Sequence, residues 1–378
     1  MSFMQRTLLT SKLPPKSSSQ PRRRGKYDFT PVSWKKYFEK KRDVVINGNS
    51  FRIYTSGDKG PLLVFLHGGG FSALSWALLS SMLCEMVECQ ILAMDLRGHG
   101  DTVTQNDEDL SIETLSSDVV DVINYVDAEM RPVILIGHSL GGSIAVHAAH
   151  NPNLSSLNGI VVIDVVEGTA LGALSSMQSI LRGRPQSFNS IEDAIKWSVQ
   201  SGQLKNIESA KISMPGQLKN SKTNKPATTE LENEVVEGSL SELPHPRSNV
   251  ESIAEDEEAT FKPPDVASGK YSWRIDLRST ENHWPGWFQG LSKLFLSTNV
   301  QKLLLLASLD RLDTDLTVAH MQGKFEVHAF EQSRGHCGHV IHEDIPDAVA
   351  EVFSTYLVRN KFAQPKNNYE EGSTMPCC

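Results

Sequence analysis

The sequence predicts an α/β fold in which helices cover both faces of a mainly parallel sheet. After residue 42, short apolar runs alternate with segments of helical periodicity. The apolar runs are continuous, which is typical of strands that are buried on both faces. The chain has 378 residues, of which 39% are hydrophobic, so it is long enough to bury a large core.

The predicted elements follow from these patterns in chain order. The first is a hairpin, Arg42–Ile46 and Phe51–Tyr54, around Asn47-Gly48, a dipeptide typical of tight hairpin turns. The other predicted strands are Leu62–Leu66, Gln90–Leu96, Val133–Ile136, Gly159–Val166, Lys302–Ala307 and Phe325–Phe330. The predicted helices are Ser75–Met86, Ile112–Val126, Ser143–Ala149, Ile191–Val199 with Ser190 as its N-cap, and Pro346–Leu357.

The most informative motif follows the strand at Val133–Ile136. It is a Gly-x-Ser-x-Gly sequence, Gly137 to Gly141, and a helix of small residues comes next. A strand, a sharp turn and a helix in this order form a nucleophile elbow, in which glycines avoid collisions around a strained serine. The sequence therefore predicts Ser139 as the nucleophile of an α/β-hydrolase fold.

A serine nucleophile needs a base, which in this fold lies on the loop after the last strand. That loop contains His336, His339 and His342. We favour His339, because it follows Gly338 and lies just before the last helix. A metal site built from the three histidines is disfavoured, because no carboxylate at a suitable spacing accompanies them.

The acid partner of the histidine is open from the residues alone. The fold ordinarily places it after the strand Lys302–Ala307, at Asp310 or the nearby Asp313. However, Asp164 interrupts the apolar run that follows the elbow helix. A carboxylate in such surroundings is costly unless it is paired, and a bond to His339 would offset the cost.

A glycine-rich segment, His67–Gly70, ends the strand Leu62–Leu66. Glycines at this position let the backbone approach a substrate carbonyl, so we expect the N–H groups of Gly69 and Leu140 to form an oxyanion hole. Asp95–Gly100 is expected to be a structural loop beside the site. We expect neither a metal nor an organic cofactor.

The alternation of strands and helices stops near Glu167, which indicates an insertion in one catalytic domain. Between Glu230 and Glu258 there are ten acidic residues and one basic residue, so this region is predicted to be a disordered acidic loop, with docking of basic partners as the functional alternative. The predicted division is a disordered basic tail (1–27), the first part of the core (28–167), a lid insertion (168–290) with the acidic loop at 217–267, the second part of the core (291–365) and a flexible tail (366–378).

Charge and cysteine content limit the location and the partners. The net charge of −8 argues against general nucleic-acid binding. Five cysteines without a CxxC pair favour a reducing compartment, and no apolar run suits a membrane span or a signal peptide. We expect the cytoplasm, with the nucleus as a second location if Arg22–Lys26 act as a nuclear signal. Cys377-Cys378 lacks the C-a-a-X form, which favours a flexible tail over lipidation.

Several segments outside the elbow resemble the protein phosphatase methylesterase family. They are Asp28–Trp34, Phe65–Gly70, Ser72–Trp76, Ile163–Ala170, Met177–Gln178, Leu181–Pro185, Tyr271–Ile275, Gly286–Ser292 and Met321–Phe325. The resemblance runs from about residue 28 to 365, apart from the acidic loop. It implies an α/β-hydrolase that demethylates the C-terminal leucine methyl ester of the protein phosphatase 2A catalytic subunit.

The resemblance also implies the triad Ser139, Asp164 and His339, which favours Asp164 over Asp310. The loop Ser333–His336 is longer than the family pattern, so His336 is a rival to His339. Two other functions stay open from the sequence. One is a small-molecule carboxylesterase, and the other is a non-catalytic protein that binds and inhibits the phosphatase.

Overall fold

A computed structural model of the chain describes residues 27–127, 131–238, 269–330 and 337–366. Several predictions therefore lie outside the described residues: nearly all of the basic tail with Arg22–Lys26, most of the acidic loop, the loop containing His336, and the tail after residue 366. Within the described residues, no helix combines the length and the apolar character that crossing a membrane requires.

Most of the strands form one large sheet. In chain order they are β1 (Lys40–Ile46), β2 (Asn49–Ser56), β3 (Leu62–Leu66), β4 (Gln90–Met94), β5 (Val133–His138), β6 (Leu157–Ile163), β7 (Ser187–Phe188), β8 (Leu218–Asn220), β9 (Tyr271–Trp273), β10 (Gln301–Leu306) and β11 (Glu326–Ala329). Eight of them form the sheet β1-β2-β4-β3-β5-β6-β10-β11. Pairing is antiparallel at β1-β2 and β2-β4 and parallel elsewhere, so the predicted mainly parallel sheet is confirmed.

Helices connect these strands and cover both faces of the sheet. They are α1 (Ala77–Met86), α2 (Ile112–Val126), α3 (Leu140–Ala148), α4 (Glu167–Arg182), α5 (Ile191–Gln200), α6 (Ile207–Ser213), α7 (Ala227–Gly238), α8 (Trp284–Phe288), α9 (Leu291–Ser297), α10 (Thr314–Met321), α11 (Ile341–Asp344) and α12 (Pro346–Arg359). Ser190 caps α5 as predicted, because its hydroxyl accepts the N–H of Asp193 at 3.1 Å.

The continuous apolar runs are explained by burial on both faces of the sheet. In β3, Leu62, Val64 and Leu66 belong to one hydrophobic cluster, whereas Leu63 and Phe65 belong to another. All five side chains are buried, so neither face of this strand meets water. The opening hairpin also forms as predicted, because Asn47 and Gly48 take the positive φ values of 50° and 79° that its turn requires.

The inserted segment contains more structure than its composition indicated. A small antiparallel sheet, β7-β9-β8, packs in a third hydrophobic cluster that includes Trp197. The prediction of disorder from residue 217 is wrong for 217–232, which contain β8 and the first part of α7. Acidic side chains there have partners, because Glu230 accepts from Asn220 Nδ2 at 2.7 Å and from the Tyr271 hydroxyl at 2.8 Å. These bonds offset the ordering entropy that the composition alone suggested would dominate.

Candidate active site

Ser139 lies in the sharp turn between β5 and α3. Its φ of 52° and ψ of −120° are unfavourable for a residue with a side chain, at a cost of about 1–3 kcal/mol. A Cβ atom on Gly137 would lie 2.0 Å from the carbonyl oxygen of Gly141, and one on Gly141 would lie 2.1 Å from that of Leu66. Both positions therefore require glycine, and they hold the serine in the strained conformation with its side chain partly exposed.

Asp164 follows β6 immediately and also has a positive φ, 52°. Its N–H donates to Leu305 O on β10 at 2.8 Å, while the N–H of Ser139 donates to Ile163 O at 3.0 Å. The predicted strand Gly159–Val166 therefore ends earlier than expected, at Ile163, because the chain turns at Asp164. These backbone bonds place Asp164 at the same edge of the sheet as Ser139.

The Asp164 carboxylate is fully buried and is held by three donors. Its Oδ2 accepts from His339 Nδ1 at 2.7 Å and also contacts the Arg311 guanidinium, and its Oδ1 accepts from Ala307 N at 3.2 Å. Burial opposes ionisation, but the hydrogen bond from His339 and the positive charges outweigh it, so the pKa of Asp164 lies below its usual value. The carboxylate is thus ionised and aimed at the histidine.

His339 is positioned through its backbone by a second histidine. Nε2–H of His138, the residue before the elbow serine, donates to His339 O at 2.9 Å. Burial lowers the pKa of His138 well below the usual value, so this ring is neutral, and its Nδ1 faces Gly68. The His339 side chain is 50% exposed, so one edge of it is accessible while Nδ1 is paired with Asp164.

The competing candidates lie in other environments. Asp310 is exposed, and within the described residues no hydrogen bond or ion pair involves its side chain. Asp313 caps α10 by accepting from Leu316 N at 2.9 Å. His342 is buried and stacks on Trp76 with 4.0 Å between the ring centroids. In the described ranges, no three His, Cys, Asp or Glu side chains are grouped as a metal site would require.

Three buried side chains hold the glycine-rich loop: His67, from the loop itself, and Asp95 and His99, from the predicted structural loop beside the site. His99 Nε2 accepts from Gly70 N at 2.9 Å, because burial lowers its pKa to about 4 and keeps it neutral. Asp95 Oδ1 accepts from Ala73 N at 2.7 Å. His67 Nε2 accepts from the backbone of the Asp95–Gly100 loop at 3.0 Å. The signal for this role was the Asp-Leu-Arg-Gly-His-Gly sequence that directly follows β4.

The same loop brings Gly69 close to the start of α3. A Cβ atom on Gly69 would lie 3.7 Å from Leu140 Cδ2. Leu140 is the first residue of α3, where backbone N–H groups have no partner within the helix. The two residues that are predicted to supply the oxyanion donors are therefore neighbours, beside the elbow.

Similarity to known proteins extends over nearly all of the chain. Residues 63–352 match the model of the alpha/beta hydrolase family. Protein phosphatase methylesterase 1 of Mus musculus is 48% identical, over 91% of this chain and 89% of that protein. The chain belongs to the protein phosphatase methylesterase 1 family. A more distant relative, the probable protein phosphatase methylesterase 1 of Caenorhabditis elegans, is 36% identical over 96% of this chain and 86% of its own length.

Solved structures agree on the fold of this methylesterase family member. E-2-(acetamidomethylene)succinate hydrolase has a TM-score of 0.59 at 17% identity, covering 84% of this chain and 98% of that structure. An esterase from Mycobacterium tuberculosis has a TM-score of 0.56 at 21% identity, covering 84% and 92% respectively. The predicted α/β-hydrolase fold, the methylesterase resemblance and the class of carboxylic ester hydrolase are confirmed.

Proposed function

We propose that the chain is a serine esterase that demethylates the C-terminal leucine methyl ester of the protein phosphatase 2A catalytic subunit, with Ser139, Asp164 and His339 as its triad. The observation that carries the proposal is the 2.7 Å contact from His339 Nδ1 to the buried Asp164 carboxylate, next to a serine elbow. The substrate is proposed from the family, since relatives with this name are 48% identical over 91% of the chain.

In the proposed reaction, His339 takes the proton of the Ser139 hydroxyl as the oxygen attacks the ester carbonyl. Asp164 holds the imidazole in the required tautomer and stabilises its positive charge. Methanol then leaves with the proton from His339, and water, activated by the same histidine, hydrolyses the acyl-enzyme.

The tetrahedral intermediate carries a negative charge on the former carbonyl oxygen. We propose that the N–H groups of Gly69 and Leu140 bind this oxygen. Removal of one such donor typically costs about 2.7–4 kcal/mol of transition-state stabilisation. The glycine-rich loop is suited to this role because His99 and Asp95 fix the backbone just after Gly69, at Gly70 and Ala73.

The chemical proposal is tested with Ser139→Ala in a methanol-release assay on methylated phosphatase. We expect activity to fall to background, whereas Ser201→Ala, which changes an exposed serine, should keep wild-type activity. A fluorophosphonate should label Ser139 in the wild type. Wild-type turnover by Ser139→Ala, or labelling elsewhere, would contradict the assignment.

Two further measurements separate this function from its rivals. A small-molecule carboxylesterase would hydrolyse simple esters and leave the methylated phosphatase intact. If the protein also masks the phosphatase, its Ser139→Ala variant should still bind phosphatase in a pull-down. The pull-down is done with phosphatase that has its C-terminal leucine and with phosphatase that lacks it. Loss of binding with the leucine removed would support recognition of the C terminus.

We further propose that residues 168–290 form a lid over the site and that the enzyme acts in the cytoplasm and the nucleus. Limited proteolysis in the presence of a fluorophosphonate tests the lid, because a closed lid should be cut more slowly. Imaging of a fluorescent fusion tests the location. Replacing the basic residues of Arg22–Lys26 with glutamine should remove the nuclear fraction.

A further inference from the structure

A pocket of about 300 Å³ adjoins the glycine-rich loop on the side of the inserted segment. It lies between the end of α4, the strands β8 and β9, and the turn that follows β9. Gly70, from the glycine-rich loop itself, forms part of its wall. The other lining residues that matter here are Arg184, Lys219, Trp273, Asp276, Leu277 and Arg278.

Leu277 separates this pocket from the predicted oxyanion hole. A Cβ atom placed on Gly69 would lie 3.7 Å from the Leu277 side chain, and one placed on Gly70 would lie 2.9 Å from it. Gly69 in turn neighbours Leu140, the first residue after the elbow serine. A chain that leaves the esterified residue therefore needs to pass only one side chain to reach the pocket.

The leaving group of a methyl ester is a single carbon, which is too small to extend past Leu277. An occupant of the pocket that is linked to the reacting ester therefore belongs to the acyl side. In a polypeptide ester, this is the residue sequence before the C-terminal residue. An extended chain spans roughly 3.3–3.6 Å per residue, so two or three residues cover the distance across one side chain and its backbone.

The charges in the pocket are unbalanced. Arg278 and Asp276 pair with each other, with Nε to Oδ1 at 2.9 Å. By contrast, no carboxylate among the described residues pairs with the side chain of Arg184 or Lys219. Two positive charges therefore face the pocket without a counterion from the described parts of the chain.

Arg184 is also held in place. Its guanidinium carbon lies 5.2 Å from the centroid of the Trp273 ring, a stacking arrangement that suits arginine. Trp273 is fixed in turn, because its Nε1–H donates to Pro185 O at 2.7 Å and its ring meets Phe188 edge-on at 5.4 Å. Burial lowers the pKa of Arg184, as expected for a cation without a counterion, yet arginine stays charged at neutral pH.

We propose that this pocket is a subsite for an acidic side chain of the substrate polypeptide, one to three residues before the esterified C-terminal residue. The inference rests on the proposed esterase function, because it assumes a polypeptide ester at Ser139. A carboxylate would take the place of the missing counterion of Arg184 and accept hydrogen bonds from its planar fork. Lys219 adds a second positive charge.

Binding of synthetic peptides to the full-length Ser139→Ala protein tests the subsite without relying on turnover. Each peptide ends in leucine methyl ester and carries glutamate at one of the three preceding positions, or glutamine there as its neutral partner. We expect at least one glutamate peptide to bind about 5- to 20-fold more tightly than its glutamine partner, and the difference to shrink in high salt. If the glutamate peptide and its glutamine partner bind equally tightly at each of the three positions, the inference is overturned.

Variants assign the preference to the pocket. Arg184→Met should abolish the glutamate preference, Arg184→Lys should restore part of it, and Arg182→Met should leave it intact, because Arg182 is exposed and does not line the pocket. Should Arg184→Met fail to fold, Lys219→Gln must reduce the preference instead. A preference that persists in the folded charge-removing variant would also overturn the inference.

Hydrolysis by the wild type separates the two proposals. If the glutamine peptides are hydrolysed at Ser139 but glutamate confers no advantage in binding, the esterase function stands and the subsite fails. If glutamate peptides bind selectively but no ester is hydrolysed, the subsite stands and the proposed chemistry fails. Peptide binding and methanol release therefore give independent answers.

Discussion

Replacing Asp164 with asparagine tests the most unusual feature of the candidate site. The carboxylate accepts three hydrogen bonds or ion contacts, from His339, Arg311 and Ala307 N. Asparagine has nearly the same shape but offers one oxygen and an NH₂ group that can only donate. Whichever way the amide is turned, its NH₂ group then faces at least one of the groups that donate to the carboxylate in the wild type.

The magnitude follows from the tautomer of His339. If the NH₂ group faces Nδ1, the imidazole has to place its proton on Nε2, and Nε2 can no longer accept the serine proton. In other serine hydrolases, the equivalent change lowers kcat by about 10⁴, which corresponds to about 5 kcal/mol. Loss of the charge-assisted bonds should also lower the free energy of unfolding by about 1.5–3 kcal/mol.

The assay is methanol release from methylated phosphatase, together with the rate of fluorophosphonate labelling of Ser139. Asp310→Asn is the matched control, since it makes the same chemical change at an exposed carboxylate after β10. We expect Asp310→Asn to stay within about twofold of the wild type. Asp164→Asn with more than a tenth of wild-type activity, or a larger loss in Asp310→Asn, would refute the reasoning.

Three other substitutions probe the surroundings of the site. Arg311→Gln removes a positive charge beside the buried carboxylate, so the acidic limb of the kcat/KM profile should move to higher pH; an unchanged profile would contradict this. Burial raises the pKa of Glu343 to about 8, so stability should fall by roughly 4 kcal/mol at most as the pH rises from about 4.5 to 8. Glu343→Gln should remove that fall in urea unfolding at pH 5 and pH 8, and an equal fall in the variant would count against the assignment. Gly141→Ala places a Cβ atom 2.1 Å from a main-chain oxygen and should abolish folding or activity, whereas Gly172→Ala, which meets nothing within 4 Å, should raise the melting temperature slightly. A folded and active Gly141→Ala protein would argue against the strained elbow.

The central sheet could be predicted from the sequence because its strands are buried on both faces. The continuous apolar run Leu62–Leu66 has the same bounds as β3, and the other predicted strands of the sheet overlap observed ones. The small sheet β7-β9-β8 could not be predicted in this way. Its strands have two or three residues each, and their pairing depends on segments that are distant in sequence, such as Phe188 with Tyr271.

The helix α4 escaped prediction for a different reason. Its apolar residues pack against the core at helical spacing, but they are only partly buried, and the glycines and serines between them lower the helix propensity of the segment; the packed residues are Ala170, Leu171, Leu174, Met177 and Leu181. At the site, the sequence indicates the serine, histidine and carboxylate but not the positive charge that accompanies the carboxylate. No local sequence pattern indicates a role for Arg311 at the site, because its contact with Asp164 joins segments that follow different strands.

The position of the carboxylate follows from the neighbouring strands β6 and β10. Ile163, at the end of β6, pairs with Leu305 on β10, so the segments that follow the two strands emerge side by side. A carboxylate on either segment can therefore reach the same histidine, which explains why both Asp164 and Asp310 were reasonable candidates. In this chain β6 provides the carboxylate, and the loop after β10 provides Arg311 and the N–H of Ala307 as its partners. That loop holds Asp164, while the side chain of Asp310 is exposed to solvent. The residues of the two segments therefore depend on each other. Moving the acid from position 164 to position 310 would require replacing Arg311 as well, because the guanidinium would otherwise lose the buried carboxylate that it contacts.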